Sequence, residues 1–195
     1  MSSDYSDLKP PAAMSPVERQ ILLLQHQILA NLNTGDGDHH RRMVEVLTQG
    51  FTIEYEDLFT PYAELSKDDC KLVFDILDMF RVMKASLKKL PEPEQNELAS
   101  DYRYTVTFQG FDGNDAREGK MASYVTFLQT TDRWTELRED VDAADGGNSH
   151  AQLLPLYRAM LDVYRPIWGE VVRGGGPTGY HLSAEQLRRV AKARP

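Results

Sequence analysis

SKDDCKLVFDILDMFRVMKASLKKL, residues 66–90, decides the fold class. Val73, Ile76, Leu77, Phe80, Met83, Leu87 and Leu90 recur at three- and four-residue intervals, the spacing of one face of an α-helix. Ser66 stands before the run and Asp69 follows three residues later, the arrangement of a capping box. The same pairing recurs at Ser15 with Glu18 and at Ser183 with Gln186. Leu182 and Leu187 flank the last of these as a hydrophobic staple. Three helix-start signals, each ahead of an apolar run, predict an all-α protein of about six to eight helices. The apolar face of 66–89 is wide, as in a central helix or one that also buries a partner surface. The second alternative predicts a homo-oligomer, a dimer or higher.

Working outward, Ser15 and Pro16 open a first helix whose Val17, Ile21, Leu24, Ile28 and Leu32 form one stripe. Residues 1–14 are rich in Ser, Asp and Pro and are expected to be a disordered tail, leaving 15–195 as a single helical domain. A second helix is expected from about Asp38 to Gln49, stopped by Gly50. Phe51–Leu65 reads either as alternation or as a short helical turn, and the turn is preferred. Pro91–Tyr102 reads as a polar loop, and Tyr104, Val106 and Phe108 as a short extended segment near 104–109. A helix follows to about Gln129, then a short one within Thr131–Arg138 and an acidic loop over Val141–Ser149. Leu153–Val172 is helical in period, with Pro166 expected to bend or split it. Gly174–Gly179 is read as a connector, since no lysine follows Gly179 to complete a phosphate loop.

The net charge of -8 over 195 residues disfavours a nucleic-acid grip built on phosphate neutralisation. The one dense basic patch is His39-His40-Arg41-Arg42. The single cysteine, Cys70, excludes an internal disulfide and reads as a small buried hydrophobe. No apolar run is long enough to span a bilayer and no N-terminal stretch resembles a signal peptide, so a cytoplasmic protein with no membrane partner is expected.

Several short segments, in order, carry a resemblance. They are Arg19–Leu22, Gly50-Phe51, Phe74–Met79, Val106–Asp112, Tyr157–Leu161 and Tyr180–Ala184. Together they resemble the YfbU family, a bacterial group of mostly helical proteins. The resemblance implies an all-helical domain that self-associates. It hands over no catalytic residues, because the family has no settled activity. No cofactor is expected from the sequence.

Three places invite chemistry. Arg19 and His26 match the Arg-to-His spacing of HEPN-type ribonucleases, and their seven-residue separation puts both on one helix face. That face is opposite the Val17–Ile28 stripe, so it is expected to be exposed, and its plain reading is a solvated surface. Tyr180-His181 lies between a Gly-rich turn and a capped helix start. There His181 would act as a base or anion contact near Arg133 or Arg173, or would be a packing residue with a hydrogen-bonded ring. Asp140, Asp142 and Asp145 carry ligand types but miss calcium-loop spacing. Asp36, Asp38, His39 and His40 are mixed ligands on a turn, where a helix start accounts for Asp38 and the adjacent histidines are expected to point apart, so no metal is expected. The reading that follows is a non-enzymatic helical protein acting through self-association and a protein partner. Its alternative is a HEPN-like RNA-cleaving or anion-binding protein.

Overall fold

The computed structural model describes residues 13–32, 35–58, 64–174 and 180–195. Among these residues there are nine α-helices and no strand; Phe111 and Asn148 form one isolated bridge. The chain divides between Glu64 and Leu65 into two compact units.

The first unit holds α1 (Pro16–Asn31) and α2 (Gly37–Gln49), then a 3-10 turn at Thr52–Leu58. The turn settles the ambiguous stretch on its helical side as far as Leu58; residues 59–63 and 33–34 lie outside the described residues. Ser15 caps α1 with both bonds of the box: its Oγ accepts from Glu18 N–H at 3.3 Å, and Glu18 accepts from Ser15 N–H at 2.8 Å. Gly50 ends α2 in the left-handed region at φ 74°, where a side chain would be strained. Met43, Val46 and Tyr55 form a small core, with Met14 and Leu58 against it. Met14 therefore packs on folded structure; residues 1–12 of the expected tail lie outside the described residues.

α1 overturns one expectation. The helix is where its period puts it, but none of its residues is buried. The stripe expected to pack, Val17 to Leu32, is 48–68 % exposed. The half-buried residues of α1 are Leu22, Leu23, His26 and Ala30, on the other face. Periodicity identifies a helix and its apolar side, but not which side meets a neighbour.

The second unit is built around α3 (Lys67–Leu87). Val73, Ile76, Leu77, Met79, Phe80 and Met83 of α3 are buried in its core, so the wide face belongs to a central helix. Phe80, Phe108, Phe111 and Tyr157 form the aromatic heart of that core, with ring centroids 5.3–5.9 Å apart. Ser66 Oγ accepts from Asp69 N–H at 3.0 Å, but the reciprocal half of the box is absent. The Asp69 carboxylate instead takes two hydrogen bonds from the Arg117 guanidinium. Cys70 is half-buried rather than buried.

Two short helices replace expected loop and strand. α4 (Glu92–Asp101) occupies the supposed polar loop, with Pro91 at its N-cap and Pro93 in its first turn, where proline costs no hydrogen bond. α5 (Arg103–Val106) takes up the first half of the expected extended segment; Thr107 is the first extended residue. α6 (Ala116–Thr130) starts at an Asp115 cap that accepts from Arg117 and Glu118 N–H. A 3-10 turn at Thr135–Leu137 leads into α7 (Arg138–Ala143), which runs into the region expected to be acidic loop. α8 (Leu154–Gly174) continues through Pro166 unsplit. Pro166 is exposed, so the carbonyl it leaves unbonded one turn back can face water. α9 (Ala184–Ala191) has the full box at Ser183 with Gln186, and both staple residues, Leu182 and Leu187, are buried. Residues 175–179 of the expected connector lie outside the described residues.

Candidate functional site

Arg19 and His26 share a face of α1 as the spacing requires, but that face meets α2. His26 Nδ1 lies 3.0 Å from His40 Nδ1, and the His39 ring closes a triangle with centroids 5.1–6.3 Å apart. Adjacent His39 and His40, expected to point apart, both turn to His26. The Nδ1–Nδ1 contact accommodates one proton, since one nitrogen must donate and the other accept. Burial, and then the charges that His40 and His39 would carry, hold His26 below the ordinary histidine range. Arg19 lies at the other end of α2: a Cβ on Gly50 would stand 2.9 Å from its guanidinium. Seven residues of helix separate Arg19 from His26 by about 10 Å along the axis. The two side chains are thus engaged with opposite ends of one neighbouring helix and do not converge on a common point.

The face of α1 turned away from α2 carries Val17, Ile21, Leu24 and Ile28 at intervals of four, three and four. That is the a/d spacing of a coiled-coil seam, with isoleucine at a and leucine and valine at d. Apart from Glu18, Arg19 and His26, α1 carries no ionisable side chain.

Tyr180, His181 and Arg133 are not brought together. Tyr180 is exposed and meets the Trp168 ring edge-on at 6.3 Å. His181 is half-buried, and its Nδ1, expected to find a partner, is buried with no hydrogen bond among the described residues. The entry to α9 is pinned one residue later: buried Leu182 donates its N–H to Ser86 Oγ at 2.9 Å, and Ser86 donates to Val82 C=O at 2.7 Å. Sequence reading missed Ser86, since a mid-helix serine carries no signal of a distant partner. The Arg133 guanidinium lies over the Phe74 and Trp134 rings, 4.6 Å from each centroid. It is held by cation–π contact, while Trp134 Nε1 donates to Asp78 at 2.8 Å.

Acids of the two loops are engaged with neighbouring side chains. Asp140 meets Lys84 at 3.0 Å, Asp38 pairs with Arg41, and Asp145 lies 3.3 Å from His150 Nε2. Among the described residues no group of three or more His, Cys, Asp or Glu side chains is placed to hold a metal ion. No helix among them is long and apolar enough to cross a membrane. A family model described as the YfbU domain matches residues 12–193, across both units.

Proposed function

The chain belongs to the YfbU family, and from that premise we propose that it is a non-enzymatic helical protein that self-associates through the outer stripe of α1. The assembly then serves as the platform for a protein partner. The observation that carries this reading is the exposure of Val17, Ile21, Leu24, Ile28 and Leu32 on one helix face. Contiguous exposed apolar residues mark interaction surfaces. The occupant is a second copy of this chain. Heptad spacing is self-complementary, so two identical stripes can interdigitate about a two-fold axis. The chain as a whole carries -8, yet α1 has one acid and one base, Glu18 and Arg19. Two copies can therefore approach along α1 without like-charge repulsion. Nothing in the arrangement favours the ribonuclease-like alternative, because Arg19 and His26 are drawn to different ends of α2.

The test is Ile21→Glu with Leu24→Glu. Both residues are half-exposed and glutamate is a good helix former, so the fold should persist. Four carboxylates at the seam of a dimer should abolish association, leaving the circular-dichroism spectrum unchanged. A variant that keeps the wild-type mass in light scattering would remove α1 from the interface.

A further inference from the structure

A cleft of about 370 Å³ opens in the second unit between the first half of α3, the start of α6 and the middle of α8. Its volume is that of a small-molecule site. Arg158, Leu161, Asp162 and Arg165 come from one face of α8, and Asp68, Lys71, Leu72 and Asp75 from one face of α3.

Two ion pairs fix the walls. Arg165 Nη2 meets Asp75 at 2.8 Å and so ties α8 to α3. Arg117, at the start of α6, donates from Nε at 3.1 Å and from Nη2 to the Asp69 carboxylate, whose side chain is 6 % exposed. Asp162 lies 3.9 Å from Arg165 Nη1, and the other charges are unspent. Arg158 on α8, and Asp68 and Lys71 on α3, line the cleft with no ion pair or side-chain hydrogen bond among the described residues. Arg158 on one wall and Asp68 on the other thus carry opposite charges with no ion pair between them. Leu72 and Leu161 contribute an apolar patch from each wall.

The sum of charges selects the ligand. Four bases and four acids line the cleft, so its net formal charge is zero. The charges outside these ion pairs are two bases and one acid, so a bare cation gains little, a bare anion leaves Asp68 unanswered, and a polyanion meets the chain's -8. A molecule carrying both signs gains from both walls. We propose that this cleft binds a small zwitterion: a free aliphatic amino acid or a short apolar peptide. The Arg158 guanidinium takes the carboxylate, a pairing suited to its planar fork. The Asp68 carboxylate takes the ammonium, and Leu72 with Leu161 takes the aliphatic side chain. This proposal is independent of association through α1.

Titration of the ¹⁵N-labelled full chain, with amide shifts followed by NMR, tests it. The probes are each common L-amino acid, leucyl-leucine, N-acetyl-leucine and leucinamide. At least one aliphatic amino acid or the dipeptide should give saturable shifts confined to 68–75, 117 and 158–165. N-acetyl-leucine and leucinamide, each lacking one charge, should bind about tenfold or more weaker, as should the zwitterion to Arg158→Gln. Arg158 is exposed and unpaired, so Arg158→Gln should melt with the wild type. The proposal is overturned if no amino acid or dipeptide gives saturable shifts. It is also overturned if N-acetyl-leucine binds as well as leucine, which would mark a plain anion site, or if Arg158→Gln leaves affinity unchanged.

Discussion

Removing the Glu118 carboxylate should undo the junction between α6, the 107–115 loop and α8. Glu118 is 3 % exposed. Its Oε2 accepts from Asp112 N–H at 3.0 Å and Leu153 N–H at 3.1 Å, and its Oε1 from Leu154 N–H at 2.9 Å. Leu154 opens α8, where unpaired N–H groups and the helix dipole favour a negative charge. Glu118→Ala leaves three donors without their acceptor. The Leu154 bond is buried and the other two are part-buried, with some access to water. At about 2 kcal/mol for the first and about 1 kcal/mol for each of the others, the expected loss is roughly 4 kcal/mol. Glu118→Gln keeps the volume and one oxygen but turns an NH₂ toward an N–H donor, so about half that loss is expected. Urea unfolding measures both, and slow hydrogen exchange at the Leu153 and Leu154 amides should be lost in the alanine variant. Glu118→Gln as stable as wild type, or Glu118→Ala losing under about 1 kcal/mol at unchanged m, would refute the reasoning.

Gly110 adopts φ 83°, and a Cβ there would stand 2.3 Å from Gly147 C=O. Gly110→Ala should therefore cost more than about 2 kcal/mol in denaturant unfolding, since strain and a backbone clash add. Ser183→Ala should cost about 1 kcal/mol by the same assay, because Ser183 accepts from Gln186 N–H and caps α9. His26 titrates below its ordinary value, so the unfolded chain takes up its proton first and stability falls as pH drops through the usual histidine range. Above that range the contribution is fully present. Protection factors over 16–31 and 37–49, which correct for the intrinsic pH dependence of amide exchange, should fall from pH 7.5 to 5.5, and His26→Gln should flatten the dependence; equal slopes in both proteins would contradict it.

Helices with a strong apolar period, such as α3, α6 and α8, are legible in the sequence because burial and spacing coincide. α4 is not, since Leu98 is its one buried residue and the prolines near its start read as breakers. Its first-turn geometry makes them harmless. α5 is hidden because Tyr104, Val106 and Phe108 alternate, yet Tyr104 is exposed while Thr105 and Val106 are buried. The candidate sites fared differently. The Arg19–His26 spacing correctly gives one shared face, but local periodicity carries no information on the direction of α2, so the His39 and His40 contacts stay invisible. Nor does sequence reveal Glu118: Asp115 and Glu118 have box spacing, but the glutamate reaches across to Leu153 and Leu154. The cleft of α3 and α8 joins residues some 90 positions apart, such as Asp75 and Arg165, and no local pattern links them.

If a second copy of the chain covers the outer stripe of α1, the mass in solution must depend on concentration. Light-scattering mass across a micromolar concentration series addresses it most directly. A species of about twice the 22.2 kDa chain mass is expected at the upper concentrations, falling toward the single-chain value on dilution, and Ile21→Glu/Leu24→Glu should stay at the single-chain value at every concentration. A wild-type mass that stays at 22.2 kDa throughout would contradict it.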